Sequence, residues 1–376
     1  MKSVVTIKLK LSYNKILLET MRQYSYSANR VIDFGWDIKT DNKIELHNLT
    51  YYKIRNETQL PAQLVCSSRD KAVEVLKSVF KQRGSKPIMK EFLTIRYNDR
   101  SFKLRCNKED YFVSLSTIKG RIKIPVEIPE YYWKYLDWKI CSANLFLDEK
   151  RRLFLNINFS KDIKTFDDNS NIVGIDMGIN NLAVTSQKQF FNSGKIKYKK
   201  IHFKHLKAKL QAKGTRSAKK LLKKISSREK RFMVWINHNI SKQIVDKIGR
   251  GIIVMENLRG IRNRKVGKKQ RFWLHSWGFY QLQNFIEYKA NMRGMKVVKV
   301  CPENTSKACS RCNALNRRFK SFFKCKSCGY SLNADLNASF NLAKHSTICE
   351  NVLVAVNQPD ITNNDAEASF DGFSRV

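Results

Sequence analysis

The sequence predicts a multidomain chain of the α/β plus β class: a β-domain carrying a helical insertion, then an α/β domain interrupted by a small cysteine-rich module. Three observations carry that reading. Strand-like alternation at residues 2–10 gives way to helical periodicity and returns as short strands over residues 93–160. From about residue 167, strand-like apolar runs alternate with longer helical patterns. Near the C-terminus four cysteines stand as two C-x2-C pairs.

Composition bounds what such a chain does. Its 376 residues suffice for two or three small domains, and an apolar fraction of 42% is enough for a core. There are 72 Lys and Arg against 32 Asp and Glu, a formal net charge of +40. Self-repulsion on that scale costs stability, so it points to a polyanionic partner whose counterions are released on binding. A ribosomal protein or a binder of anionic membranes would share the charge. No apolar run approaches ~20 residues, so no membrane span is expected. The opening MKSVVTIKLKLSYNK lacks a long apolar stretch followed by a small-residue cleavage site, so the expected location is a reducing, intracellular compartment.

The elements follow in order. KSVVTIKLK reads as a half-buried strand. Ile16, Leu17, Met21, Tyr24, Ala28, Val31 and Ile32 then make one helical face. Pro61 suits an early helical position before Leu64, Val65, Ala72, Val73, Leu76 and Phe80, and Gly84 and Pro87 end that block. FLTIRY, SFKLRC, YFVSLS, RIKIPV, SANLFL and LFLNINF read as strands of a small barrel or sandwich. Composition shifts again at Asp167 and Asp168. Lys195 to Arg231 holds 16 Lys and Arg and one acid, Glu229, with partial periodicity from Leu206, Leu210, Leu221, Leu222 and Ile225. At that density a phosphate-facing surface is expected rather than a solvated helix face, with Lys219, Lys220, Lys223 and Lys224 as its test positions. Met233, Ile236, Ile240, Ile244 and Ile248 form a cleaner stripe closed by Gly249. Residues 346–376 are acidic and patternless, which reads as a mobile tail.

Three acids end apolar runs or open a helix. Ile172, Val173 and Ile175 lead to Asp176, followed by a turn at Gly178 to Asn181 and a returning strand at Leu182, Ala183 and Val184. Ile252, Ile253, Val254 and Met255 lead to Glu256. Asp335 lies near the start of a helix whose Ala338 and Leu342 face a core. An acid ending a buried strand is costly without a partner. Converging carboxylates suit hard divalent cations, and two such ions about 4 Å apart hydrolyse phosphodiesters. Taken singly, each acid equally suits a helix cap or a salt bridge to a local cation such as Arg259.

The cysteines are more specific. Cys309 and Cys312, a twelve-residue spacer, then Cys325 and Cys328 make the spacing of a closed tetrahedral zinc site, with no open coordination position and hence a structural role. Gly329 and Asn313 follow the two pairs where a positive φ is wanted. The basic, aromatic spacer NALNRRFKSFFK reads as a hairpin arm. Cys301 falls outside the spacing and is expected in a core, as are the scattered Cys66, Cys106 and Cys141.

Taken in order, GIDMGINNLAVTS, IIVMENLRGI and NTSKACSRC…CKSCGYSLNADLNASFNLA resemble the TnpB family of transposon-encoded nucleases, as does the intervening WGFYQLQNFIEYKANMRGMKVVKVCPENTS. The resemblance is specific over residues 170–345; in the N-terminal half it extends to element order alone. It implies an RNase H-like RuvC domain (167–300 and 331–345) with an inserted zinc ribbon (301–330). Before these it implies a β-barrel wedge domain (1–12 and 84–166) carrying a helical recognition domain (13–83). It also implies that Asp176, Glu256 and Asp335 hold two catalytic Mg²⁺ or Mn²⁺ ions and that Cys309, Cys312, Cys325 and Cys328 hold one Zn²⁺. The implied activity is RNA-guided DNA endonuclease, acting as a monomer with one guide RNA from the transposon end on double- and single-stranded target DNA. The implied setting is the cytoplasm and nucleoid of a prokaryote. A compact type V CRISPR effector and a nuclease-inactive RNA-guided repressor are the competing readings. Two departures from the family pattern stand out. Asn313 replaces the usual glycine after the first cysteine pair, and Asn333 stands where an acid or histidine is common.

Overall fold

The computed structural model describes residues 2–107, 110–166, 171–258, 267–301 and 305–344. Asp167, Asp168, Arg259 and the acidic stretch 346–376 lie outside them. The chain divides into two compact units, one from Lys2 to Asp162 and one from Ile163 onward.

In the first unit the alternation of β1 (Lys2–Lys10) buries Ile7 and Leu9. Three helices follow: α1 (Lys15–Asp37), α2 (Lys43–Glu57) and α3 (Ala62–Gln82). Asn14 caps α1 by accepting from the Ile16 and Leu17 N–H groups. Leu17, Met21, Tyr24, Ala28, Val31 and Ile32 are buried on one face. Pro61 sits one position outside α3 as its N-cap, with ψ 147°, rather than within the helix. Helix α2 has no clean apolar stripe: Leu46, Thr50 and Ile54 face inward, while Ile44 and Tyr52 are exposed.

The strands divide between two antiparallel sheets. One has the order β1, β7 (Leu153–Asp162), β6 (Lys139–Leu147), β2 (Ile95–Tyr97). The other is a meander of β3 (Phe102–Asn107), β4 (Asp110–Thr117) and β5 (Gly120–Pro125). Two cysteines expected in a core are exposed here. Cys106 lies on edge strand β3, and Cys141 sits at the irregularity of β6 between Ile140 and Ser142, its Sγ 2.9 Å from Ser160 Oγ. Cys66 is half-buried.

The second unit is built on a five-stranded sheet in the order β10 (Phe190–Asn192), β9 (Asn181–Thr185), β8 (Ile172–Asp176), β11 (Ile252–Glu256), β12 (Lys296–Val300). β8 runs antiparallel to β9, whereas β11 is parallel to both β8 and β12. Alternation divides the sheet's side chains between two layers. Val173, Ile175, Ile253 and Met255 pack with Ile240, Ile244, Leu282 and Ile286 of α5 (Arg216–Ile248) and α7 (Phe279–Asn291). Ile252, Val254 and Val300 pack with Leu342 of α8, described over residues 334–344.

The basic run forms two helices, α4 (Gly194–Lys213) and α5, broken at Gly214 with φ 62°. Met233, Ile240, Ile244 and Ile248 are buried and Gly249, at φ 70°, ends α5. Between Arg216 and Phe232, in contrast, Ala218 alone is buried. The lone acid Glu229 accepts from Lys207 at 2.6 Å and from the buried Lys200 at 3.4 Å, tying the two helices together. Helix α6 (Lys268–Ser276) completes the described elements around this core. No described helix is long and apolar enough to cross a membrane.

Candidate functional site

Period-two alternation decides where two of the acids go. Asp176 is two residues beyond Gly174 on β8, and Glu256 two beyond Val254 on β11, so both project from the face that α8 covers. The parallel register pairs Ile175 with Met255, one step before the two acids. Helix α8 brings the third. Its N-cap is Asn333, whose Oδ1 accepts from the Asp335 and Leu336 N–H groups at 2.9 and 3.2 Å. The family departure at Asn333 thus still provides a cap.

Gly174 sets how near α8 comes to the sheet. A Cβ there would lie 2.0 Å from the Ser339 carbonyl oxygen and 2.6 Å from the Ala343 nitrogen, so no side chain fits between strand and helix backbone. The result is one open cavity of about 420 Å³ lined by Asp176, Glu256 and Asp335, with Asn180, Thr305, Arg318 and Lys320 around them. Burial, and then the neighbouring carboxylates of Glu256 and Asp335, push the acid of Asp176 well above the usual range; Arg318 and the Met177 N–H pull it back.

Two of the acids, Asp335 and Glu256, are oriented by side-chain neighbours. Asn181 Nδ2 donates to Asp335 Oδ2 at 2.8 Å, and Arg318 Nη1 lies 3.7 Å from Asp335 Oδ1. Thr305 Oγ1 donates to Glu256 Oε1. Gln283 Nε2 holds the Glu256 backbone carbonyl at 2.6 Å. None of these partners was singled out in the sequence. Arg318 and Lys320 carried the signal of the basic spacer, whereas Thr305, Asn181 and Gln283 are ordinary polar residues whose partners are distant in the chain.

The four cysteines meet. Cys309 and Cys325 are buried, with Sγ–Sγ distances of 3.7 Å from Cys309 to Cys328 and 3.5 Å from Cys312 to Cys325. All four sulfurs lie within 4.8 Å of one another. A tetrahedron with Zn–S bonds of about 2.3 Å has edges of about 3.8 Å, so the set fits zinc. Among the described residues no other set of three such donors is gathered as tightly. The Cys328 backbone N–H above all, opposed by burial, draws the Cys325 thiol below its usual range. Asn313 and Gly329 adopt φ 62° and 69°, turning the chain after each pair. The spacer runs into β13 (Phe322–Lys324), which pairs with β14 (Ser331–Asn333). Cys301 is exposed just past β12, not in a core, because the strand ends at Val300.

The four lysines Lys219, Lys220, Lys223 and Lys224 are exposed on α5. They are not among the residues lining the carboxylate cavity.

Fold and site define a mixed α/β chain with a carboxylate cavity and a four-cysteine module of zinc-ribbon type. Residues 160–259 match the family OrfB_IS605, described as a probable transposase, and residues 279–342 match the Cas12f1-like TNB domain. Both matches fall almost wholly within the second unit. The chain is 31% identical over 280 residues to the CRISPR-associated endodeoxyribonuclease Cas12f1 of Sulfoacidibacillus thermotolerans, covering 64% of this chain and 65% of that protein. It is 38% identical over 160 residues to a TnpB-like protein of Methanocaldococcus jannaschii, covering 40% of this chain and 58% of that one. The chain thus spans just under two thirds, or less, of the length of these curated relatives. Its fold is similar to that of Cas12f1 in a cryo-EM structure of a Cas12f1–sgRNA–target DNA complex, with TM-score 0.65 at 20% identity, covering 87% of this chain and 82% of that one.

Proposed function

We propose that the protein is an RNA-guided DNA endonuclease with a RuvC-like site, taking its guide from the RNA of its own transposon end. The observation that carries this reading is the shared cavity of Asp176, Glu256 and Asp335, three acids from two neighbouring strands and one helix. Strand order and the parallel or antiparallel sense of β8 to β12 support an RNase H-like frame for them.

In this reading the three carboxylates hold two Mg²⁺ or Mn²⁺ ions. Hard oxygen donors suit these cations, and positive charge in the cavity offsets the burial and, after it, the carboxylate repulsion that raise Asp176. When bound, the ions supply an activated water and stabilise the leaving oxygen of the phosphodiester. The chain's own residues orient and screen. Thr305 fixes one oxygen of Glu256, Asn181 fixes one of Asp335, and Arg318 and Lys320 set positive charge beside the acids for the scissile phosphate. Water is the nucleophile in this reading, so no covalent protein–DNA intermediate is expected. The four-cysteine module holds one structural zinc.

The remaining assignments belong to the same proposal. The sheets of residues 1–12 and 84–166 act as the wedge, and the helices of 13–83 lie along the guide–target heteroduplex, reading A-form shape while base pairing reads sequence. The exposed lysines of α5 meet phosphate, and one chain binds one RNA in the prokaryotic cytoplasm. The similarity to Cas12f1 over residues 279–342 favours a compact CRISPR effector as the second reading, since that activity uses the same chemistry with a different guide source. Sequencing the RNA that co-purifies with the protein separates the two.

The test of the activity is cleavage of a matched DNA by the RNA-loaded protein. Mg²⁺ or Mn²⁺ should support cutting and EDTA should stop it. Asp176→Ala, Glu256→Gln and Asp335→Ala should each abolish cleavage with guide and target binding retained, and double variants should be no worse than single ones. Target binding without any cutting by the wild type would replace this reading with an RNA-guided repressor.

A further inference from the structure

Helix α8 carries Asp335 in its first turn, and one of its faces is hooked to the segment 305–310. Asn337, with 0% of its surface exposed, accepts from the Ser310 N–H at 2.9 Å through Oδ1 and donates to the Ala308 carbonyl at 2.7 Å through Nδ2. One turn on, Asn341, 4% exposed, donates to the Thr305 and Ala308 carbonyls, each at 2.8 Å. Lys344 donates to the Ser310 carbonyl. Residues 337, 341 and 344 follow the spacing of a single helix face. On another side α8 rests on Gly174 of the central strand.

The segment being gripped reaches the other acid. Thr305, 1% exposed, has its carbonyl held by Asn341 and its hydroxyl donating to Glu256. A continuous path therefore runs from Asp335 along about 1.7 turns of helix to Asn341, through Thr305, to Glu256. Ser310 follows Cys309 directly, so Asn337 also joins the same helix to the first cysteine turn.

The chemistry of these contacts is specific. A buried carboxamide is costly unless its donor and acceptor are both matched, and a backbone segment gripped by such groups has its register fixed to within a hydrogen-bond length. An apolar residue of similar size would fill the space and leave the helix free to slide or rotate. For acids that share metal ions, displacement of about 1 Å is damaging.

We propose that Asn337 and Asn341 are positioning residues for the carboxylate cavity. They register α8 on the 305–310 segment and so set Asp335 against Glu256. The inference rests on the reading of the cavity as a divalent-metal site, and it adds which residues hold that site in shape.

The test is Mn²⁺ binding by the full chain, read by electron paramagnetic resonance, with Asp335→Ala as the reference for a disabled cavity. Asn337→Leu and Asn341→Leu should each raise the Mn²⁺ Kd at least tenfold while zinc stays at one per chain. In the RNA-loaded protein the half-saturating Mg²⁺ concentration for cleavage should rise in parallel, and excess Mn²⁺ should restore cutting in these variants but not in Asp335→Ala. A purely structural role would lower thermal stability and leave metal half-saturation in place. Folded, zinc-replete Leu variants with Mn²⁺ affinity within twofold of the wild type would overturn the proposal. If the Leu variants do not fold, Thr305→Val decides: it keeps both carboxamides and the side-chain shape, and it must weaken Mn²⁺ binding several-fold by itself. A wild type that binds Mn²⁺ in the cavity but cuts no DNA refutes the nuclease activity and leaves the positioning claim readable from the metal. A wild type that binds none refutes both.

Discussion

The Asn181 carboxamide donates to Asp335 Oδ2 at 2.8 Å, although the two residues are 154 positions apart. Asn181 opens strand β9, the return of the hairpin whose first strand ends in Asp176, so one hairpin supplies one acid and orients another. Asn181→Ala should remove a hydrogen bond to a charged group, of order 1.5–3 kcal/mol. If the acid acts in cleavage, single-turnover cutting should fall by about tenfold or more, with target affinity unchanged. A rate equal to the wild type would show that Asp335 is held well enough without it.

Gly174→Ala should be among the most damaging small substitutions in the second unit. The obstacle is the backbone of α8, at the Ser339 carbonyl and the Ala343 nitrogen, which cannot rotate away as a side chain can. Overpacking typically costs about 1–3 kcal/mol, and rigid neighbours place this site at the upper end. Thermal melting should drop accordingly, and any folded fraction should have a displaced Asp335 and a weakened response to Mg²⁺.

Cys312→Ser or Cys328→Ser should bring zinc content toward zero and lower the melting temperature, because three thiolates do not close the tetrahedron. Metal analysis of the purified variants checks the first point and calorimetry the second. Fully active protein without stoichiometric zinc would contradict a structural zinc.

Joint replacement of Lys219, Lys220, Lys223 and Lys224 by Ala should weaken nucleic-acid binding at all sequences alike. Each lost phosphate contact removes about 0.7–0.9 from the slope of log affinity against log salt, so four contacts remove about 3. Binding measured over a few-fold range of salt gives the slope directly. An unchanged slope would make that stretch of α5 a solvated face.

The fold was legible where a period met a boundary. β8 and β11 announce themselves as apolar runs ending in Asp176 and Glu256; that the two acids share a face follows from the parallel register of the strands, which no single run displays. The cysteine spacing described a compact thiolate cluster, and Asn313 was legible as a positive-φ position. What the sequence hid was long-range. Nothing in NADLNASFNLA tells that Asn337 and Asn341 grip residues 305–310, or that Ser339 and Ala343 press on Gly174. Helix α2 escaped notice because its apolar residues are spread around the axis, and Cys106, Cys141 and Cys301 lie exposed because residue type weakly constrains burial at strand edges and ends.

Helix α5 runs 33 residues without interruption, about 50 Å at the usual rise per residue. Its final turns lock into the core through Ile244, Val245 and Ile248, and only Gly249 to Gly251 separate them from the strand that ends in Glu256. Its first four turns stand clear of that core, braced against α4 through Glu229. Mechanically this is a lever with its fulcrum in the α/β core. In such an arrangement a load on the exposed basic arm would reach the fold at the base of β11, the strand that ends in Glu256.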